Sequence, residues 1–216
     1  MKVHLIAGDL TTFAGGAICN AANEVMLGGG GVDGAIHRAA GPELRKACEA
    51  VYAEDVLAYG PGLREMRGKR CGIGQVVPTP AFNLPCKWVF HTVGPVWPVG
   101  CEEDEDPLSR STQPDDDGKP FLTKGRHARL QLAACYGRSL YLASAMGLKS
   151  IAFPAISTGV YGCPQEVCAE VAASVCGGRH MQFLGAEKLR LEVTFFIHPA
   201  EHLSTWQEAA KYKAGD

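Results

Sequence analysis

The most informative part of this sequence is Asn20-Ala21-Ala22-Asn23 followed by Gly28-Gly29-Gly30-Gly31-Val32-Asp33. A short apolar run before it predicts a buried strand over 17–20, and the residues after it have a helical pattern. Each of the four successive glycines costs roughly 0.5 to 1 kcal/mol of backbone entropy relative to alanine, so the bare backbone must serve a purpose. Consecutive N–H groups at a helix start form an anion site that the helix dipole favours. The stretch therefore predicts a strand, a phosphate-binding loop and a helix rather than a flexible linker, which would be polar and serine-rich on both sides.

A second loop of small residues runs from Pro154 to Gly162 and reads PAISTGVYG. It follows a predicted buried strand at 150–154 and precedes a helix opened by Pro164. Alone, it could equally be an ordinary tight turn. Ligands of open α/β sheets bind at the carboxyl ends of strands, so the two loops are predicted to face each other across a diphosphate. Neither the GxGxxG dinucleotide fingerprint nor the GxxxxGK[ST] phosphate loop is present, so the predicted diphosphate site belongs to neither of these two types.

Strands and helices alternate along the chain, which predicts α/β layering. Apolar runs predict strands at 3–7, 17–20, 74–77, 88–93, 150–154 and 191–197. Apolar residues at helical spacing predict helices at 34–40, 43–53, 127–146, 165–175 and 203–212. Asp33 is interpreted as the N-cap of the first helix, and Gly41-Pro42 as the break before the second.

Composition excludes several functional classes. The net charge of −2, with 46% apolar and 20% charged residues, argues against wrapping nucleic acid or docking on anionic lipid. The nine cysteines stand singly, so neither a disulfide scaffold nor a zinc site is indicated, and a reducing cytosol is expected. The first residues reach Asp9 too early for a signal peptide, and no run approaches about 20 apolar residues, so neither export nor a membrane span is expected.

The length of 216 residues suits a single domain over 1–216 with one insertion. The segment 98–125 holds eight acidic residues and several prolines but few large apolar ones, so it cannot pack a core. We interpret it as an exposed acidic surface loop, with a functional lid or docking tail as the alternative.

Several blocks, in order along nearly the whole chain, resemble the signature blocks of MacroD-type macrodomains. They are Gly8-Asp9-Leu10-Thr11, residues 20–23, 28–33 and 36–41, His91-Thr92-Val93-Gly94-Pro95, and 153–162. Only the acidic segment and the two ends fall outside the resemblance. It implies a macrodomain fold, with a central mixed β-sheet sandwiched between helices in three layers and ADP-ribose in a cleft over the strand ends. It implies no metal and no cofactor.

The resemblance also assigns roles by position. Asp9 would accept a hydrogen bond from the adenine amino group, although it could merely cap a turn. The two loops would bind the diphosphate through backbone N–H groups. Asn23 would hydrogen-bond the distal ribose, although an Asn after a strand is usually a turn former, and Tyr161 would form the floor beneath that sugar. The implied substrate-binding set is Gly8, Asp9, Leu10, Ala21, Ala22, Asn23, Gly28, Gly29, Gly30, Gly31, Val32, Ile156, Ser157, Thr158, Gly159, Val160, Tyr161, Gly162 and His198.

Asp33 is the position that indicates catalysis. A carboxylate beside a phosphate site costs Coulomb energy from which plain binding gains nothing, whereas a base near the reacting sugar explains it. We expect Asp33, with Asn23 beside it, to activate a water that attacks C1″ of a mono-ADP-ribosylated carboxylate or the acyl carbon of O-acetyl-ADP-ribose. The alternative is that Asp33 has a purely structural role as the N-cap of the first helix. His37, one turn later, could support Asp33 or be structural.

One departure from the family pattern concerns the adenine. Where the family usually has an aromatic residue after the last strand, this chain has His198, which can stack less well, or Phe196 if the register slips. The leading hypothesis is a cytoplasmic, monomeric hydrolase acting on O-acetyl-ADP-ribose or mono-ADP-ribosylated proteins. The alternative is a non-catalytic ADP-ribose reader, and a nucleic-acid-binding module is disfavoured by the charge.

Overall fold

Six strands form one mixed sheet in the computed structural model, which describes residues 1–51, 69–98, 124–177 and 190–212. The strands are β1 Lys2–Ala7, β2 Ala17–Ala21, β3 Val76–Pro80, β4 Trp88–Thr92, β5 Ser150–Pro154 and β6 Glu192–Ile197. Their order across the sheet is β1-β6-β5-β2-β4-β3. All neighbours are parallel except β3 and β4, which pair antiparallel. The sheet is therefore mixed, as the resemblance implied.

The edge position of β3 follows from its sequence. Pro78 and Pro80 have no backbone N–H to donate, and a strand with two prolines is tolerated at an edge but not between two partners. By contrast, β2 and β5 lie inside the sheet and are almost wholly buried, as expected of parallel strands covered on both faces. The carboxyl ends of β2 and β5 carry the two loops singled out above.

Helices cover both faces of the sheet. They are α1 Gly31–Ala40, α2 Pro42–Glu49, α3 Lys124–Ala145, α4 Gln165–Cys176 and α5 Leu203–Tyr212. One buried apolar cluster includes side chains of α3, α4 and α5, and a second, on the other face, includes side chains of α1 and α2. Two cores separated by one sheet make a three-layer α/β fold, which confirms the predicted fold class.

All six predicted strands and all five predicted helices are present, and the differences lie at their ends. The interpretation of Asp33 as an N-cap is wrong, because α1 begins at Gly31 and Gly30 holds the cap position. The sequence pattern placed all four glycines in a loop, but Gly31 is already the first residue of α1. β3 begins at Val76 rather than residue 74, since Gly74 has φ +74°, which an extended strand does not allow.

Two predicted segments, the second helix and the acidic insertion, extend partly outside the described residues. α2 ends at Glu49, before the predicted residue 53, which lies outside the described residues together with residue 52. Residues 99–123 of the predicted acidic insertion also lie outside them, so that interpretation stays a prediction. Its last two residues, Lys124 and Gly125, belong to α3.

None of the helices in the described ranges is both long enough and apolar enough to cross a membrane.

Tyr136 of α3 fastens the second loop to the core. Its hydroxyl accepts a hydrogen bond from the Ile156 N–H at 3.1 Å, and its buried ring packs edge-on against Phe153 and Phe195. This bond gives the buried Ile156 N–H its partner at the point where β5 passes into the loop.

We expect Tyr136→Phe to lower the free energy of unfolding by about 1 to 3 kcal/mol, because the ring is kept while the Ile156 N–H loses its partner. Urea denaturation measures the difference. Tyr141→Phe is the matched control, since Tyr141 lies on the same helix and is 50% exposed, and it should leave stability unchanged. Equal stability of Tyr136→Phe and the wild type would show that the hydroxyl does not hold the loop.

Candidate functional site

The first loop passes so close to the start of α1 that a side chain would be crowded at Gly29 in the loop and would meet backbone at Gly34 in the helix. A Cβ atom at Gly34 would lie 2.5 Å from the carbonyl oxygen of Gly29. A Cβ atom at Gly29 would lie 3.0 Å from Oδ2 of Asp33 and 3.4 Å from Nδ2 of Asn23. Gly28 also has φ +91°, a conformation that glycine adopts without strain. The glycines therefore bring bare backbone and two polar side chains together.

Two rows of backbone N–H groups are left without partners beside this loop. Within the described ranges, the N–H groups of 28–33 make no hydrogen bond, and neither do those of 157–161 in the second loop. The first row lies at the N-terminus of α1, where the helix dipole adds positive potential. Gly29, Gly30 and Gly31 are exposed, so a ligand can reach them. Both rows suit an anion bound through backbone alone.

The second loop is held in shape by its own hydrogen bonds. The Cys163 N–H donates to the Ser157 carbonyl, and the Gly162 N–H donates to the Gly159 carbonyl, both at 2.9 Å. Ser157 has φ +67°, which is uncommon for a residue with a side chain. Its hydroxyl is buried and has no hydrogen-bond partner in the described part of the chain. Strain and an unpaired buried hydroxyl in one residue are typical of a functional loop.

Tyr161 links the second loop to the first. Its side chain packs on the apolar cluster beneath α1, and the Trp97 N–H donates to its carbonyl at 2.7 Å. Burial raises the pKa of the Tyr161 phenol, and the carboxylates of Glu24 and Asp33 raise it further. The preceding Val160 is fully exposed at the tip of the loop. The phenol is therefore held in its protonated form close enough to Asp33 to feel its charge, and its role as the floor of the sugar site stays a prediction.

Asp33 is buried in the first turn of α1, with only 4% of its surface exposed. Its Oδ1 accepts a hydrogen bond from Nδ2 of Asn20 at 2.7 Å. His37 Nε2 lies 3.5 Å from the same oxygen but makes no hydrogen bond within the described ranges. Oδ2 is buried and has no partner among the described residues, on the side where Gly29 leaves space. Asn20 therefore holds Oδ1 in place, while Oδ2 is available to accept a proton.

Burial raises the pKa of Asp33 above its ordinary value of 3.8. The hydrogen bond from Asn20 and the neighbouring His37 act in the opposite direction and only partly offset the loss of water. The folded protein therefore holds the Asp33 proton more tightly than the unfolded chain does. The ionised carboxylate costs stability, and the cost appears as the pH rises from 3.8 through the raised pKa.

We expect Asp33→Asn to unfold at a higher temperature than the wild type at pH 7, because the amide fills the same space without a charge. The two proteins should unfold at nearly the same temperature at about pH 3, where the carboxyl is protonated in both the folded and the unfolded state. Differential scanning calorimetry across this range measures the gap. A variant less stable than the wild type at pH 7 would contradict a net cost of the buried charge.

Asn23 has the turn-forming contacts that its position allowed. Its Oδ1 accepts from the N–H groups of Val25 and Met26, and its Nδ2 donates to the Gly28 carbonyl at 3.1 Å. The side chain thus braces the glycine loop from behind. Its second Nδ2 hydrogen has no partner in the described ranges, so contact with the distal ribose stays a prediction.

The predicted adenine end lies where β1 and β6 finish together. Asp9 caps the short turn Leu10–Thr12, since its Oδ1 accepts from the Thr11 N–H at 2.9 Å and from the Thr11 hydroxyl at 2.8 Å. The turn-capping alternative is therefore confirmed, and a contact with adenine stays a prediction. His198, which directly follows β6, is exposed, whereas Phe196 is partly buried against Gly8.

Two polar strand residues that complete the site were not predicted from sequence. Asn20 of β2 and His91 of β4 are fully buried register partners, and Nδ2 of Asn20 lies 3.1 Å from Nδ1 of His91. Both residues lie in blocks that resemble the family signature, but the resemblance assigned no role to either. The available signal was a polar side chain inside an otherwise apolar strand, which is costly to bury unless it is paired.

Three groups of metal-binding type also lie close together: His37, Cys48 and His91 offer ligand atoms within 4.8 Å of one another. The cluster has no local sequence signal, because its members lie far apart in the chain and on different elements. Nε2 of His91 is already 2.9 Å from the Thr79 hydroxyl, and Cys48 Sγ is 3.6 Å from the same nitrogen.

Comparisons with known proteins agree on one family. The family profile described as Macro domain matches residues 19–113 and 119–172. A protein of Escherichia fergusonii named O-acetyl-ADP-ribose deacetylase is 46% identical over 201 residues, which are 93% of this chain and 90% of that protein. The solved structure of an Oceanobacillus iheyensis macrodomain with ADP has a TM-score of 0.71 and 35% identity, covering 96% of this chain and 89% of the other. A Trypanosoma brucei macrodomain in complex with ADP-ribose has a TM-score of 0.66 and 31% identity, covering 95% of this chain and 68% of the other.

Proposed function

The chain belongs to the macrodomain family, and on that premise we propose that it is a hydrolase that binds ADP-ribose and removes the acetyl group of O-acetyl-ADP-ribose. The observation that carries the proposal is the buried Asp33 carboxylate, whose Oδ2 has no partner in the described ranges and lies beside bare backbone. A protein that only bound a diphosphate would gain nothing from this charge. The relative's printed name, O-acetyl-ADP-ribose deacetylase, supports the same reaction.

The N–H groups of 28–33 and 157–161, which make no hydrogen bond to another described residue, support the binding half of the proposal. They can surround a diphosphate without lysine or arginine, and burial of the ligand would make each hydrogen bond to its charged oxygens stronger than a neutral one. Adenine would then lie toward Asp9 and His198, and the distal ribose toward Asn23 and Tyr161. This orientation brings the ribose ester to Asp33.

The proposed step uses Asp33 as a general base. Oδ2 takes a proton from a water molecule as the water oxygen bonds to the acyl carbon of the ester. The bond between that carbon and the ribose oxygen then breaks, and the ribose oxygen receives the proton from Asp33. The products are acetic acid and ADP-ribose, and the carboxylate is regenerated. The raised pKa of Asp33 makes it a stronger base than an ordinary aspartate.

The same site would accept a second class of ester. A glutamate or aspartate side chain joined to C1″ of ADP-ribose presents the same nucleotide to the two loops. The water oxygen would bond to C1″ as Asp33 takes a proton from that water, and the bond from C1″ to the side-chain oxygen would break. The protein carboxylate leaves, and Asp33 then releases the proton to solvent. We therefore include removal of mono-ADP-ribose from carboxylate side chains of proteins in the proposal. The exposed Gly29 to Gly31 leave this end of the site open enough for a protein partner.

Parallel assays on the wild type test the proposed function. Calorimetry measures ADP-ribose binding, while acetate release from O-acetyl-ADP-ribose and label release from a glutamate-linked mono-ADP-ribosylated protein measure turnover. We expect binding together with turnover of at least the acetylated substrate. Binding without turnover of either substrate would identify a non-catalytic reader and end the enzyme proposal.

We expect the hydrolase to keep its full kcat after incubation with EDTA and gel filtration, because the proposed step draws its base from Asp33 alone. Acetate release before and after treatment is the measurement, and a mock-treated sample is the control. Loss of turnover that added Zn²⁺ or Mg²⁺ restores would overturn the metal-independent mechanism.

A further inference from the structure

His91 is a fully buried histidine that the proposed reaction does not use directly. It lies on β4, opposite Asn20 of β2, and its ring has polar neighbours on both nitrogens. Nδ1 is 3.1 Å from Nδ2 of Asn20, while Nε2 is 2.9 Å from the Thr79 hydroxyl. Burial lowers the pKa of His91 to about 3, so the ring is neutral near pH 7. A neutral ring accepts at one nitrogen and donates at the other.

The neighbours of His91 determine which nitrogen carries the proton. An ionised Asp33 can only accept, so the Asn20 atom that lies 2.7 Å from Asp33 Oδ1 must be the amide nitrogen. The second hydrogen of that nitrogen is then directed at Nδ1 of His91, which must accept it. Nδ1 is therefore unprotonated, and Nε2 carries the proton and donates it to the Thr79 hydroxyl.

This tautomer argues against a metal ion held by His37, Cys48 and His91. A neutral histidine that binds a metal through Nε2 donates from Nδ1 to an acceptor, which is the reverse of the bond that Asn20 makes here. Burial also raises the pKa of the Cys48 thiol to about 12, so Cys48 is not a ready thiolate ligand. The cluster is better explained as the neighbourhood of one hydrogen-bonded histidine.

We propose that His91 is a positioning residue for the hydrolysis, accepting a hydrogen bond from Asn20 and thereby fixing the amide that holds Asp33. The inference rests on the proposed function for its kinetic consequence, but not for the hydrogen bonds themselves. The Oδ1 of Asn20 is buried and has no partner within the described ranges, so the two bonds of Nδ2 are what orient the amide. Without His91, Asn20 can turn away, and Asp33 loses the anchor that leaves Oδ2 facing the glycine loop.

Two substitutions at His91 separate positioning from packing. His91→Leu fills most of the space but removes the acceptor, so we expect kcat to fall roughly 10- to 100-fold with the ADP-ribose dissociation constant unchanged. His91→Asn is smaller and leaves a larger cavity, but its Oδ1 can replace Nδ1 as the acceptor, so it should recover most of the kcat lost in His91→Leu. If kcat instead follows the unfolding temperatures of the two variants, His91 is only structural.

Nuclear magnetic resonance tests the inference without turnover. In the ¹⁵N spectrum of the wild type, we expect Nδ1 of His91 to be the unprotonated nitrogen and Nε2 the protonated one. The ¹³C signal of the Asp33 carboxyl should titrate at a higher pH in His91→Leu than in the wild type, since the bond from Asn20 favours the ionised form, and His91→Asn should reverse this shift. The other titratable groups near these residues are His37, Cys48 and Tyr161, which both variants retain.

The outcomes also distinguish the two proposals. The opposite tautomer, or an Asp33 titration that is the same in all three proteins, would overturn the role of His91 even if the wild type hydrolyses its substrate. Absence of turnover in the wild type would defeat the proposed function, and the spectra would still decide whether His91 orients Asp33 through Asn20.

Discussion

Asp33→Asn is expected to lower kcat for O-acetyl-ADP-ribose by roughly 10²- to 10⁴-fold, the range that a general base contributes. The amide keeps the shape of the carboxylate and can still accept the hydrogen bond from Asn20, which is 2.7 Å from Oδ1 in the wild type. It cannot take a proton from water. Binding of ADP-ribose should remain as tight or become tighter, because a negative charge beside the diphosphate has been removed. Steady-state acetate release and calorimetric titration measure the two quantities.

The matched control for this substitution is Glu43→Gln. Glu43 is an acidic residue in the first turn of α2, as Asp33 is in α1, but it is exposed. Both variants lose one carboxylate from the first turn of a helix, so both lose a favourable interaction with a helix dipole. Only Asp33→Asn should lose turnover. Full turnover by Asp33→Asn would mean that another group activates the water.

Gly94→Ala is expected to weaken ADP-ribose binding roughly 10- to 100-fold, which corresponds to one lost hydrogen bond to a charged group. A Cβ atom at this position would lie 2.0 Å from Oγ of Ser157 and 2.7 Å from Cγ2 of Ile156. Ser157 and Ile156 are buried, so their side chains have little room to shift, and we expect the backbone N–H groups of the second loop to be displaced with them. Such crowding in a packed region should also lower the free energy of unfolding by about 1 to 3 kcal/mol.

Calorimetry and urea denaturation measure these two effects of Gly94→Ala, and a second substitution tests their cause. Ser157→Ala removes the hydroxyl oxygen nearest to the added methyl group, so Gly94→Ala with Ser157→Ala should regain part of the lost stability, a coupling that a double-mutant cycle detects. Gly159→Ala is the control for stability, because no atom of the described residues lies within 4 Å of the Cβ atom it would add. Wild-type affinity in Gly94→Ala would contradict a second loop held in place by contact with Gly94.

The fold could be predicted from sequence because each of its elements is encoded locally. The apolar run at 150–154 became β5 with the predicted ends, and Pro42 begins α2 as a proline at a helix start should. The start of α1 could not be placed, because glycines that begin a helix and glycines in a loop have the same sequence pattern. Asp33 was therefore assigned to the cap, whereas it is the third residue of α1 and is buried.

The candidate site was predictable only where its residues are adjacent in sequence. The glycine loop and Asp33 form one segment, so their combination pointed to catalysis before any contact was known. The pairing of Asn20 with His91 depends on the register of β2 against β4, and Thr79 joins them from the antiparallel edge strand. Strand register is set by the whole sheet, so no local pattern contains it.

The expected effects of Asp33→Asn on stability and on activity have opposite signs. Substitution of a residue retained for folding should lower both the stability and the activity of the protein. Substitution of a buried charge retained for catalysis should raise the stability and lower the activity. A higher unfolding temperature together with a lower kcat in this one variant would therefore identify Asp33 as a charge retained for catalysis.

The central claim, that an ionised Asp33 activates the water, is tested most directly by the pH dependence of single-turnover acetate release with wild-type enzyme in excess over O-acetyl-ADP-ribose. The rate should fall on the acid side with a midpoint above 3.8, the ordinary pKa of the aspartate carboxyl, because burial raises that pKa. The residual rate of Asp33→Asn should lack this acid limb. A wild-type rate independent of pH on the acid side, or the same acid limb in both proteins, would contradict the claim.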